Sequence, residues 1–236
     1  MTNGQPDRDA VLLDPAHARQ ADLSRTLASH DSGQDGDRGQ LLIAAAYQLL
    51  AEQGLDGLTI RAVLARTGLA RRAFYERFGG KDDLVLAVFG QTLRHASAHY
   101  GRMIAATTDP VERLRMIVVA IVLGRGGTDE LPDVDSDRRG AALAREHMRL
   151  AENRPAELHA ALEPLIGLIA AQLAEGMAQG RVRHADADRL AVLVYNLVST
   201  TVQTELLDPD SVSRNREERH VLAGDIWEFC RRAIAV

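Results

Sequence analysis

At 236 residues, with 46% hydrophobic side chains and a net charge of −5, the chain is long enough for one large domain, or for a small domain joined to a larger one. Its single cysteine, Cys230, excludes an intrachain disulfide. No run of 18 apolar residues appears, and the opening MTNGQPDRDAVLLDPA lacks a basic start followed by an apolar stretch. We therefore expect a soluble cytoplasmic protein with no membrane partner. The charge is unevenly placed. Residues 38–81 hold seven basic and three acidic side chains, a local +4 that leaves −9 for the rest. A basic segment on an acidic chain is the electrostatic footprint of a nucleic-acid-binding head on a non-binding body.

Residues 1–36 are rich in Asp, Gly, Ser and Gln and read as a flexible arm, with Leu23 and Leu27 compatible with a short helix over Ala16–Ala28. Asp7, Asp9, Asp14, Asp22, Asp31 and Asp35 outnumber Arg8, Arg19 and Arg25, so this arm is not expected to grip a minor groove. From Arg38 the pattern turns helical: Leu42, Ala45, Ala46, Leu49 and Leu50 form one stripe, closed by Gly54. Thr59 stands where a helix N-cap belongs, followed by a short helix over Ile60–Arg66. Thr67-Gly68-Leu69 is a turn, and Ala70–Phe78 a second helix that buries Ala73, Phe74 and Phe78. Gly79-Gly80 stops that helix, and Lys81 opens a long one reaching about Ala106.

A helix is predicted from Pro110 to Leu123, then a mobile loop over Gly124–Asp137. Helices follow over Arg138–Ala151, Ala156–Gln179, Asp186–Leu207 and Arg214–Ala235, the last two separated by Asp208-Pro209-Asp210. Nothing alternates with period two over a useful length, so the fold class is all-α with about nine helices.

Two short helices joined by a Gly-containing turn, the second basic and aromatic, form a helix-turn-helix. The second would lie in the major groove of double-stranded DNA, where Arg71 and Arg72 can each donate two hydrogen bonds to a guanine edge. Tyr75, one turn on, has a hydroxyl for a phosphate. Lys81, the only lysine, starts a helix whose positive end also favours a phosphate. Arg61, on the first short helix, joins these candidate DNA contacts.

The segment Arg38–Leu84 resembles the DNA-binding head of the TetR family of transcriptional regulators. The residues that carry the likeness are Thr59-Ile60-Arg61, Thr67-Gly68-Leu69-Ala70-Arg71, Phe74-Tyr75-Glu76-Arg77-Phe78 and Lys81-Asp82-Asp83-Leu84. The resemblance implies an arm at 1–36, a DNA-binding domain at 37–84 and a ligand-binding and dimerisation domain at 85–236. It also implies a homodimer on a palindromic operator, repression without ligand, and release by a small-molecule effector. By position, Thr59, Tyr75 and Lys81 look like phosphate contacts, and Arg71 and Arg72 like base readers. Two departures stand out: Ala70 where members often carry a capping Ser or Thr, and Leu64 where the family usually has a small alanine.

Leu190, Leu193, Val194 and Leu197 form one apolar stripe, and Leu222, Ile226 and Phe229 another. Such stripes are ordinarily core; the resemblance places them at a two-fold interface. Tyr100, Met103, Met116, His147, Met148, Tyr195 and Asn196 are the polar or soft residues set in apolar helices, and they outline an effector pocket for a hydrophobic or amphipathic molecule. His95 and His99 have a chelating spacing but no third ligand nearby, so no metal site is expected. Asp82 and Asp83 read as first-turn acids favoured by the helix dipole, and Cys230 as a small buried hydrophobe. No Gly-rich phosphate loop, nucleophile elbow or Cys/His pairing is present, so neither catalytic residues nor a cofactor are assigned. An architectural binder without operator preference rests only on Ala70 and Leu64, and the same head serves activators as well as repressors.

Overall fold

The computed structural model describes residues 37–124, 134–207 and 216–236, and the chain divides into two compact units, Met1–Leu41 and Leu42–Val236. Of the first unit only the helical residues 37–41 are described, so the short helix expected over 16–28 lies outside the described residues. Among the described residues there are nine helices and no strand, as the missing two-residue period predicted. They are α1 (37–57), α2 (Ile60–Thr67), α3 (Arg71–Tyr75), α4 (Lys81–Ile104), α5 (Pro110–Val122), α6 (Val134–Asn153), α7 (Pro155–Ala178), α8 (Ala187–Leu207) and α9 (Arg216–Ile234).

Local chemistry explains most of the boundaries. Thr59 caps α2: its Oγ1 accepts from the Ala62 N–H at 3.1 Å, and Gly68 ends the helix at φ 70°, a left-handed conformation that costs glycine little. Asp109 caps α5 by accepting from the Val111 N–H at 3.0 Å, with Pro110 in the first turn, where its missing N–H is not needed. Several expected boundaries move, among them that of α1, which runs past Gly54 to residue 57. The second helix of the head is shorter than Ala70–Phe78, because the Arg77 N–H turns back to the Phe74 carbonyl at 3.0 Å ahead of the two glycines. The segment 134–137, read as loop, is instead the first turn of α6.

Two hydrophobic cores result. The first gathers Leu42, Leu50, Val63, Phe74 and Leu84, so that α3 is anchored through Phe74. The second gathers Leu114, Ile117, Ile169, Leu173 and Val198 from α5, α7 and α8. Helix α4 feeds both: Leu84, Val85 and Val88 belong to the first, and Phe89, Ala96, Tyr100 and Ile104 to the second. Among the described helices α7 alone is long and apolar enough to suit a bilayer, but its Leu158, Leu162, Ile169 and Leu173 are buried in the second core.

The start of α3 is its weak point. Ala70 holds the extended backbone of an N-cap, φ −69° and ψ 150°, with no side chain able to accept from the first turn. Ala70→Ser supplies that acceptor without moving the backbone. It should raise stability by about 1 kcal/mol in urea unfolding, and no gain would show that the first-turn N–H groups are already satisfied.

Candidate functional site

Helix α3 turns Phe74 into the first core and leaves Arg71, Arg72 and Tyr75 outside. An Arg71 Nη2 N–H donates to the Tyr75 hydroxyl oxygen at 3.3 Å, with the guanidinium 5.5 Å from the ring centre, so the two side chains form one exposed unit. Arg72 is paired to Glu76 at 2.7 Å, but its side chain is 90% exposed and such a pair is easily given up. Arg61 is exposed, and Thr59, also exposed, keeps its hydroxyl proton while its oxygen caps α2. These five expected DNA contacts lie together on α2, α3 and the turns beside them. Lys81 differs: it is half-buried, and its Nζ donates to the Leu55 carbonyl at 2.9 Å, tying the first turn of α4 to the segment after Gly54. Arg77 was not singled out by the sequence reading, yet it is exposed at the end of the same motif.

The two first-turn acids of α4 do more than meet the helix dipole. Asp82 accepts from Arg149 at 3.1 Å, and Arg149 also grips the buried Glu146. Asp83 accepts from Arg154 at 2.7 Å and from the Gly79 N–H at 2.9 Å, while Arg154 also reaches Glu157 at 3.1 Å. The Arg154 hydrogen bond, and then the Gly79 N–H, hold the Asp83 carboxyl below its usual value. The start of α4 is thereby braced to the end of α6 and the start of α7.

A cavity of about 200 Å³ lies between α4, α6 and α8, with Phe89, Tyr100, Leu143, His147, Tyr195 and Gln203 among its walls and, among the described residues, no Asp, Glu, Lys or Arg. His147 Nδ1 is 2.7 Å from Gln203 Nε2; its ring stacks on Tyr195 at 16° and meets Phe89 edge-on at 5.7 Å. Burial lowers the His147 pKa, which keeps the imidazole neutral, and raises the phenols of Tyr100 and Tyr195, with a smaller opposing pull on Tyr195 from Ser199. A larger cleft of about 420 Å³ lies between α1 and α4, with Tyr47, Gln48, His95 and Arg102 among its walls.

Of the seven expected pocket residues, Tyr100, His147 and Tyr195 line the cavity. The other four do not. Met148 is 52% exposed, Asn196 is exposed, and Met103 and Met116 pack half-buried against the second core. Met148 and Asn196 sit one residue from a lining side chain, hence about 100° round the helix and on another face. Ser199 and Gln203 were missed, although Tyr195, Ser199 and Gln203 recur every fourth residue on α8. His95 is exposed, and no group of three or more His, Cys, Asp and Glu side chains able to hold a metal occurs among the described residues. Cys230 is buried, which pushes its thiol up to about 11. On α8 and α9, Leu193 and Phe229 are exposed, Leu197 and Leu222 are half-buried, and Leu190, Val194 and Ile226 are buried within their own chain.

Comparison with known proteins gives a consistent outcome. Residues 42–88 match the DNA-binding domain described as bacterial regulatory proteins, tetR family. Over 196 residues the chain is 26% identical to an uncharacterised helix-turn-helix transcriptional regulator of Mycobacterium tuberculosis, covering 82% of this chain and 96% of that one. In fold it is similar to a TetR-family regulator from Pectobacterium atrosepticum, with TM-score 0.68 and 20% identity over 86% of this chain and 97% of the other. It is similar too to the regulator FadR from Bacillus subtilis solved with stearoyl-CoA, with TM-score 0.61 and 15% identity over 81% and 96% of the two chains.

The brace at α4 carries its own test. A double-mutant cycle of Asp83→Ala and Arg154→Ala should give a coupling of about 1 kcal/mol or less at low salt, because both groups remain partly exposed. The folded-state pKa of Asp83 is depressed, so the coupling is present above the ordinary carboxylate range, about pH 4, and is lost as pH falls below it. A coupling indifferent to acidification and to salt in urea unfolding would mean the two side chains do not pair in solution.

Proposed function

We propose, from the premise that this chain is a transcriptional regulator of the TetR family, that it is a repressor. It binds a palindromic operator as a homodimer and leaves it when a small hydrophobic or amphipathic effector enters the cavity between α4, α6 and α8. The observation that carries this reading is the division of α3: Phe74 is wholly buried while Arg71, Arg72 and Tyr75 stand exposed on a two-helix motif with a capped first helix. Residues 37–84 then act as the DNA-binding head and 85–236 as the effector-binding and dimerising body, working in the cytoplasm. The chain is a regulator rather than an enzyme.

In this reading Arg71 and Arg72 read base edges, while Thr59, Tyr75, Arg61 and Lys81 meet phosphates. Lys81 spends one of its three N–H groups on the Leu55 carbonyl, which fixes its head and leaves the others for a phosphate oxygen. The dimer seam narrows from the seven residues expected. Leu190, Val194 and Ile226 are already covered by their own chain, so a partner is met by Leu193, Leu197, Leu222 and Phe229 of α8 and α9. The likeness in fold to FadR, solved with stearoyl-CoA, supports a ligand in the body.

An electrophoretic shift against DNA flanking the chain's own gene should give a discrete complex, preferred over unrelated duplexes by roughly 10³-fold. Arg71→Ala should cost about 1–3 kcal/mol at one base position and relax preference there, whereas Tyr75→Phe should weaken every sequence alike. Diffuse binding with steep salt dependence and no preference would make the chain an architectural binder instead.

Light scattering tests the seam separately. The double substitution Leu193→Asp with Phe229→Asp should leave a folded monomer that no longer shifts the operator, and a persisting dimer would move the interface elsewhere.

A further inference from the structure

The cavity between α4, α6 and α8 carries more information than its apolar walls, and the ligand class drawn from it rests on its being the effector site. Three of its polar groups come from three different helices. Tyr100 of α4 is 3% exposed, and its hydroxyl has no hydrogen-bond partner among the described residues. His147 of α6 is engaged at Nδ1 by Gln203 of α8 at 2.7 Å, while Nε2 has no partner among the described residues. With the Gln203 amide N–H donating, Nδ1 accepts and the imidazole proton resides on Nε2. Among the described residues the cavity is therefore lined by two donors that no side chain engages, the Tyr100 O–H and the His147 Nε2–H, and by no Asp, Glu, Lys or Arg. Such donors are free to bond to a molecule placed between them.

Charge restricts the occupant further. Burial lowers the His147 pKa, so nothing in the described wall offsets the cost of desolvating a carboxylate or an ammonium group. Phe89, Tyr100, His147 and Tyr195 supply flat faces for a ring.

We infer that the effector is an uncharged molecule with a ring and with oxygen atoms that accept hydrogen bonds, a ketone, quinone, lactone or aryl ether, held by Tyr100 on one side and the His147–Gln203 pair on the other. Permanently charged molecules are disfavoured there.

Calorimetric titration of the purified full chain with four shape-matched probes tests this: 4-methoxyacetophenone, p-cymene, 4-methoxybenzoate and 4-methoxybenzylammonium. The ketone should bind about tenfold or more tightly than the other three, the difference expected of buried hydrogen bonds made or left unmade. Tyr100→Phe removes only the hydroxyl and should lower ketone affinity by about tenfold while leaving p-cymene unchanged. Gln203→Leu should lower it similarly, and the melting temperature of each variant establishes that it is folded. Equal or tighter binding of p-cymene, a preference for either ion, or no binding by any probe to folded wild type would overturn the inference. Adding the ketone to the operator complex separates the two levels. Binding without DNA release leaves the ligand class standing and removes the effector role.

Discussion

Everything in the described structure depends on α4 belonging to two cores at once. The fully buried residues change over at consecutive positions, Val88 in the first core and Phe89 in the second, with the half-buried Leu86 already packed against the second. A helix is stiff, so the recognition end and the cavity end of α4 cannot be adjusted independently. Tyr100 in the cavity wall and Lys81 at the first turn are joined by 19 helical steps, roughly 28 Å. Helix α6 repeats the arrangement: Ala142 is buried in the first core, Leu150 in the second, and His147 lies in the cavity wall between them. The ion pairs from Arg149 and Arg154 then close the frame at Asp82 and Asp83. Helix α6 thus both walls the cavity and, through Arg149, holds the start of α4.

The basic character of the head is partly internal. Arg66 is committed to Glu52 through two hydrogen bonds of 2.8 and 2.6 Å, which strap α2 to α1, and Lys81 is committed to a backbone carbonyl. Net charge counts these groups alongside Arg61, Arg71 and Arg77, which are exposed. What the DNA would meet is therefore a narrower set than the local +4 implies, concentrated on α3 and its flanks. Arg71 and Tyr75 are already aligned by their own hydrogen bond, so less side-chain freedom is left to lose on binding.

The head was legible in the sequence because its signals are local. Thr59 as a cap, Gly68 at a left-handed turn and the spacing of Phe74 and Phe78 each act within a few residues, and each holds in the structure. The long helices were legible through period and punctuation, with boundaries moving by one to four residues. The cavity was not, because periodicity says which face of a helix is apolar and not which helix will face it. Hence Met148 was selected beside His147, and Asn196 beside Tyr195, although neighbours along a helix diverge by about 100°. Gln203 escaped notice since its role exists only once α8 lies against α6. Lys81 shows the same gap, since its carbonyl partner stands 26 residues earlier. For α8 and α9 the apolar stripes were visible, but one stripe served two purposes: Leu190, Val194 and Ile226 turn inward, and Leu193 and Phe229 outward.

The polar groups of the cavity have a thermodynamic consequence of their own. The Tyr100 hydroxyl and His147 Nε2 are two donors that no described side chain engages, set on α4 and α6. Water or a ligand must supply their bonds, and the otherwise apolar walls give a water few further partners. In the proposed reading a ligand accepting from both donors bridges α4 and α6, and by linkage it can redistribute the head only as far as its affinity differs between the two arrangements. A purely apolar molecule of the same shape fills the space but leaves both donors unsatisfied, so it lacks the differential affinity that would let it act as a switch.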